Sequence, residues 1–145
     1  MFSNRIMEVL SIDVPDYLPF FLHPDINPVS ADPMVISSGI SLAGRWDIFA
    51  TVTLMLILNI LAEELYFRAW LMPKMGKLGP AAWFANGALF ALYHTFQLWL
   101  FPVLLIASIS FAFLVYRTRS VIPSLLAHVL INGLNVLFLF PMFLG

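Results

Sequence analysis

Cysteine is missing from the chain altogether. Disulfides, thiolate zinc sites and cysteine nucleophiles are thereby excluded. Charge is scarce: Lys, Arg, Asp and Glu together supply 10% of the residues, and the formal net charge is −1. A chain this poor in basic residues offers no electrostatic footprint for nucleic acid, which is excluded as a partner. The opening, Met1 to Ser11, lacks the basic and then apolar order of a signal peptide. There is no internal repeat and no low-complexity segment. What fills the chain instead is apolar. Hydrophobic residues make up 61% of the 145, and the mean hydropathy is +0.94, a balance outside that of soluble domains. The expected fold class is all-α: a polytopic membrane helix bundle of about four transmembrane helices in one membrane domain, with the lipid bilayer as its partner.

Residues 1–44 stand apart. Five of the ten prolines fall there (Pro15, Pro19, Pro24, Pro28, Pro33), among Asp13, Asp16, Asp25 and Asp32. Prolines at that spacing forbid a long helix, so an extended, non-cytoplasmic segment is expected. Within it, Tyr17 to Leu22 suits the membrane surface and His23 reads as a solvated loop histidine. Residues 45–145 form the membrane core. Its first helix is expected over Asp47–Leu71, with Asp47 where a carboxylate suits the helix dipole. The breaker-rich Met72–Pro80 turn follows, then a helix over Ala81–Phe101. Pro102 opens a third helix that ends at Tyr116, and a fourth runs from Ile122 to Phe140. Lys74 and Lys77 occupy one connection, Arg117 and Arg119 another. In an up-down order both lie on one side, which the positive-inside rule makes cytoplasmic. Arg5 and Arg45 go against that rule.

The stretch Glu63-Glu64-Leu65-Tyr66-Phe67-Arg68 lies inside the first apolar run. An ionised group in a membrane helix costs about 2.5–3.5 kcal/mol near the midplane, so such groups mark function. Glu64 and Arg68 are i,i+4 and are expected to pair, which leaves Glu63 free. Most other polar residues line up. Asn59 shares a face with Glu63. Gly87, Phe90, His94 and Gln97 share one on the second helix, and Ser124, His128, Asn132 and Asn135 one on the fourth. Glu63, His94 and His128 all fall roughly 9–20 Å below the cytoplasmic face at 1.5 Å per residue. Taken singly, each histidine or asparagine suits helix–helix hydrogen bonding. Together, at matching depth, they make one polar cavity.

Hydrolysis is the chemistry such a set allows. Glu63 can act as a general base on water held by a histidine, while a second histidine and Asn132 donate to an oxyanion. Glu63, His94 and His128 can instead bind zinc with one position open for water. No His-Glu-x-x-His occurs on one helix, and residue types alone do not choose between the two. A non-catalytic binding protein is a rival from another class. An ion or proton pathway is a third, weakened because only Thr95, Gln97 and Asn135 continue the polar path beyond His94 and Asn132.

Three motifs in order, Glu63-Glu64-x-x-x-Arg68, Phe90-x-x-x-His94 and His128-x-x-x-Asn132, give the chain its resemblance to the CAAX-protease and bacteriocin-processing (CPBP) family of intramembrane proteases, the type II CAAX prenyl endopeptidase group. The resemblance covers about residues 45 to 140. It implies an intramembrane endopeptidase acting on a peptide or prenylated protein, with Glu63 and His94 activating water, Glu64 and Arg68 as a supporting pair, and His128 and Asn132 stabilising the oxyanion. It implies a multi-pass protein of a bacterial or archaeal cell membrane with its site toward the cytoplasm. The non-catalytic rival then takes a definite form, a bacteriocin immunity factor. Zinc is compatible with the family and not demanded. The family usually has further helices before its first motif. Here a proline-rich stretch stands in that place, so a reduced member, or one begun at an internal methionine, is expected.

Overall fold

The computed structural model describes residues 41–95 and 100–144, without the side chains of Asn135 and Phe138. The proline-rich residues 1–40, Gln97, Trp99 and the side chain of Asn135 therefore lie outside the described residues. Every regular element among the described residues is helical. Helix α1 spans Trp46–Glu63 and passes without a break into a π-helix, Glu64–Leu71. One α turn, Met72–Lys74, and a 3-10 stretch, Met75–Ala81, make the connection to α2, Ala82–Tyr93. Gly79 turns the chain there at φ 55, a left-handed conformation that glycine adopts without strain. Helix α3 spans Phe101–Thr118, α4 spans Ile122–Leu139, and a short α5, Pro141–Leu144, is the last described element. The expected count of about four main helices holds.

Prolines open both later long helices. Pro102 in α3 and Pro123 in α4 sit in the first turn, where the missing N–H bonds nothing in any case. Helix α3 has 18 residues and is about 27 Å long, more than its expected start at Pro102 and end at Tyr116 allowed. It closes on Arg119, which holds a left-handed φ of 55 while its N–H bonds the Val115 carbonyl at 2.8 Å.

The two ends of the core meet. The Gly44 N–H donates to the Phe143 carbonyl at 3.0 Å, and Phe49 packs edge-on against Phe140 and Phe143. The start of α1 thus lies beside the end of α4, so the two run antiparallel. Arg45, basic against the expected side, is paired bidentately with Asp47 at 3.0 and 2.8 Å.

Polarity is reversed relative to a water-soluble protein. Glu64, Arg68, Asn86 and Ser124 are fully buried, while Leu58, Ile106, Leu130 and Leu137 are more than half exposed. An apolar exterior around a polar core suits lipid as the surrounding solvent. Two stretches, Trp46–Tyr93 and Phe101–Thr118, are long and apolar enough to cross a membrane, and α4 adds the shorter apolar run Ile122–Leu134.

Candidate active site

Glu63 ends α1 with its side chain buried. Its Oε1 accepts a hydrogen bond from Asn59 Nδ2, one turn earlier, at 2.9 Å. Two imidazoles approach the same carboxylate: His94 Nε2 lies 3.5 Å from Oε1, and His128 Nε2 lies 3.8 Å from Oε2. The three motifs of the sequence therefore converge in space, although His128 is dozens of residues away along the chain.

Backbone geometry aims His94. A helix continuing to Phe101 was expected, but α2 stops at Tyr93. The His94 N–H bonds the Ala91 carbonyl at 3.0 Å instead of Phe90. This frees the Phe90 carbonyl, and His94 Nδ1 lies 2.9 Å from it. A carbonyl only accepts, so Nδ1 carries the proton and Nε2 is the nitrogen presented to Glu63. The side chain thereby also caps the last turn. Phe90 is buried and forms a wall of the site, with its ring 4.7 Å from that of His94 and 5.8 Å from that of His128.

Glu64 has a different partner from the one expected. The sequence spacing pairs it with Arg68, but among the described residues no such ion pair forms. Its Oε2 accepts from Ser124 Oγ at 2.6 Å and its Oε1 from His128 Nδ1 at 3.0 Å. Both carboxylate oxygens are thus taken by α4. The π-helix begins at Glu64, so the i,i+4 geometry of an α-helix does not govern this turn. Arg68 is held elsewhere: Nη2 donates to the Ser108 carbonyl at 3.3 Å and the guanidinium lies 4.4 Å from the Phe90 ring centre. Its Nε and Nη1 are buried with no hydrogen-bond partner among the described residues.

Asn132, one turn past His128, lines the same cavity of about 380 Å³ as Glu63, His94 and His128. A second cavity, of about 620 Å³, shares Asn59, Glu63 and Tyr93 with the first and is otherwise walled mainly by Phe67, Leu71 and Leu89. The polar face expected on α4 is present in Ser124, His128 and Asn132. Asn86 was overlooked in the sequence. It is fully buried and donates to the Phe67 carbonyl inside the π-helix at 2.8 Å. Its signal was there, because Asn86, Phe90 and His94 recur at i,i+4 on one face.

Zinc would need Glu63, His94 and His128 to meet at one point. Among the described residues no three His, Asp or Glu side chains do so. The two imidazoles meet different oxygens of Glu63, one of which already accepts from Asn59. As arranged here, the set does not fit a zinc ion.

No curated protein and no solved structure matches the chain. A family model does, described as type II CAAX prenyl endopeptidase Rce1-like, over residues 45–134. That span is well over half of the chain and takes in all three motifs and every residue of the cavity. The chain belongs to the Rce1-like, type II CAAX prenyl endopeptidase family, whose members are membrane proteases.

Proposed function

We propose that the chain is an intramembrane endopeptidase that hydrolyses a peptide bond in a membrane-associated protein or peptide, a prenylated one included, with Glu63 as its general base. The observation that carries this reading is the meeting of Glu63 with the Nε2 atoms of His94 and His128 in one cavity that Asn132 also lines. Water in the cavity beside Glu63 and His94 Nε2 gives its proton to the carboxylate as its oxygen attacks the scissile carbonyl carbon. The carbonyl π electrons move onto oxygen. His128 and Asn132 Nδ2 donate to that oxyanion. On collapse the C–N bond breaks, and Glu63 returns the proton to the departing nitrogen.

Glu64 sets the state of His128 in this scheme. A carboxylate only accepts, so His128 Nδ1 carries a proton, and an Nε2–H for the oxyanion makes the ring an imidazolium. Every step uses the chain's own groups. The site faces the cytoplasm in this reading, on the side of Lys74, Lys77, Arg117 and Arg119.

The test is cleavage of a farnesylated Cys-aliphatic-aliphatic-X peptide by the detergent-purified chain, with and without chelator, beside zinc analysis. Cleavage that survives chelation and disappears in Glu63→Gln is expected. Activity that tracks bound zinc would overturn the metal-free scheme. Peptide binding undiminished in Glu63→Gln, with no cleavage by either protein, would favour a binding protein.

A further inference from the structure

The family motifs begin at Glu63 and give no part to the residue one turn before it. The geometry points to Asn59 as a positioning residue that fixes the Glu63 carboxylate in its plane. This rests on Glu63 being the base. Three observations carry it. Asn59 Nδ2 donates to Oε1 at 2.9 Å. The direction is unambiguous, since a carboxylate cannot donate and only the amide nitrogen can. Both residues sit on one face of α1, whose backbone is α-helical through Glu63, so the donor is held at a fixed height below its acceptor. Third, Asn59 borders both cavities that reach Glu63, where water and an incoming apolar chain would otherwise compete for the carboxylate.

Oε1 is anchored by Asn59 and lies nearest His94. Oε2 faces His128 at 3.8 Å, too far for a direct bond. A water held by His94 Nε2 then meets a carboxylate of fixed orientation. Without Asn59 the carboxylate can rotate about its terminal bond, a soft torsion. In this scheme Asn59 acts through Glu63.

Two measurements test the role. The first is the infrared difference spectrum between the chain and Glu63→Gln, which isolates the carboxylate stretch of Glu63. In an Asn59→Ala background that band is expected to shift, and an unmoved band would overturn the contact. This arm needs no substrate. The second is steady-state cleavage of the farnesylated peptide. Asn59→Ala and Asn59→Leu are expected to lower kcat by on the order of tenfold to 10²-fold with KM unchanged, the cost of a misplaced group. Unchanged kcat, or a loss confined to KM, would overturn the positioning role. If the chain cleaves no such peptide, the proposed activity fails, while the infrared band still decides whether Asn59 holds Glu63.

Discussion

Glu63 and Glu64 are adjacent, equally acidic and both buried, yet their surroundings separate them. Glu63 borders a cavity and meets imidazole nitrogens at 3.5 and 3.8 Å, looser contacts than direct hydrogen bonds. Glu64 has both oxygens closed off by Ser124 and His128 at 2.6 and 3.0 Å. Glu63→Gln should therefore abolish cleavage and leave the thermal unfolding midpoint nearly unchanged. Glu64→Gln keeps only one of two acceptors, and a buried donor left unpaired costs about 1–3 kcal/mol. Its midpoint should fall, and kcat should fall with it, because His128 loses its orienting partner. Ser124→Ala separates these effects, since it removes one donor and leaves the His128 bond in place. It should cost stability, with kcat changed far less than in Glu64→Gln. Equal kcat losses in the two variants would show that Glu64 does not act through His128. Asn132→Ala should lower kcat by about 10²–10³ with KM nearly constant, the usual result of losing an oxyanion donor. A large KM change with kcat intact would make Asn132 a substrate-binding residue instead.

At the scale of the helices, what the sequence could tell depended on whether a contact was local. Apolar runs and breakers located all four long helices, with the starts of all four and the end of the fourth within a few residues, and the shared faces of Glu63, His94, His128 and Asn132 pointed to one cavity. The π-helix Glu64–Leu71 was not legible, because its cause is distant. Glu64 is drawn to α4, and Asn86 of α2 bonds the Phe67 carbonyl. A reading at 3.6 residues per turn then puts Arg68 against the wrong partner. The end of α2 at Tyr93 was hidden for a similar reason, since a ring nitrogen replaces a backbone N–H on the Phe90 carbonyl. Close packing of α2 on α3 depends on Gly87. A Cβ there would lie 2.6 Å from Ile109 Cα, a backbone atom that cannot move alone. Gly87→Val should force the helices apart and cost at least about 1–3 kcal/mol, as overpacking does. The check is the unfolding midpoint of the purified protein, together with kcat, because Phe90 and His94 ride on the same helix. A midpoint equal to that of the parent would mean that α2 and α3 are not in close contact.

For the molecule as a whole, the question is which end faces which side. The two connections that carry the loop cations lie together. Pro73, Gly76 and Pro80 of the first, with Tyr116, Arg119 and Val121 of the second, line one cavity of about 660 Å³. The opposite end holds Gly44 and Phe143, joined at 3.0 Å. Lys74 lies over the Trp70 ring at 3.2 Å, an aromatic and cation pair of the kind found where a helix leaves the bilayer. In the proposed function this end is the cytoplasmic one, as the positive-inside rule leads one to expect. The chain has no cysteine of its own, so single cysteines can be introduced without background labelling. Cysteines at Lys74 and Arg119 should react with a membrane-impermeant maleimide only after the cytoplasmic side is opened. A cysteine at Asp25, expected in the non-cytoplasmic segment, should react in intact cells. Labelling of positions 74 and 119 from opposite sides would break the alternating order of the helices. Labelling of both from outside would keep the bundle and invert it, and the proposed protease would then cut on the outer face.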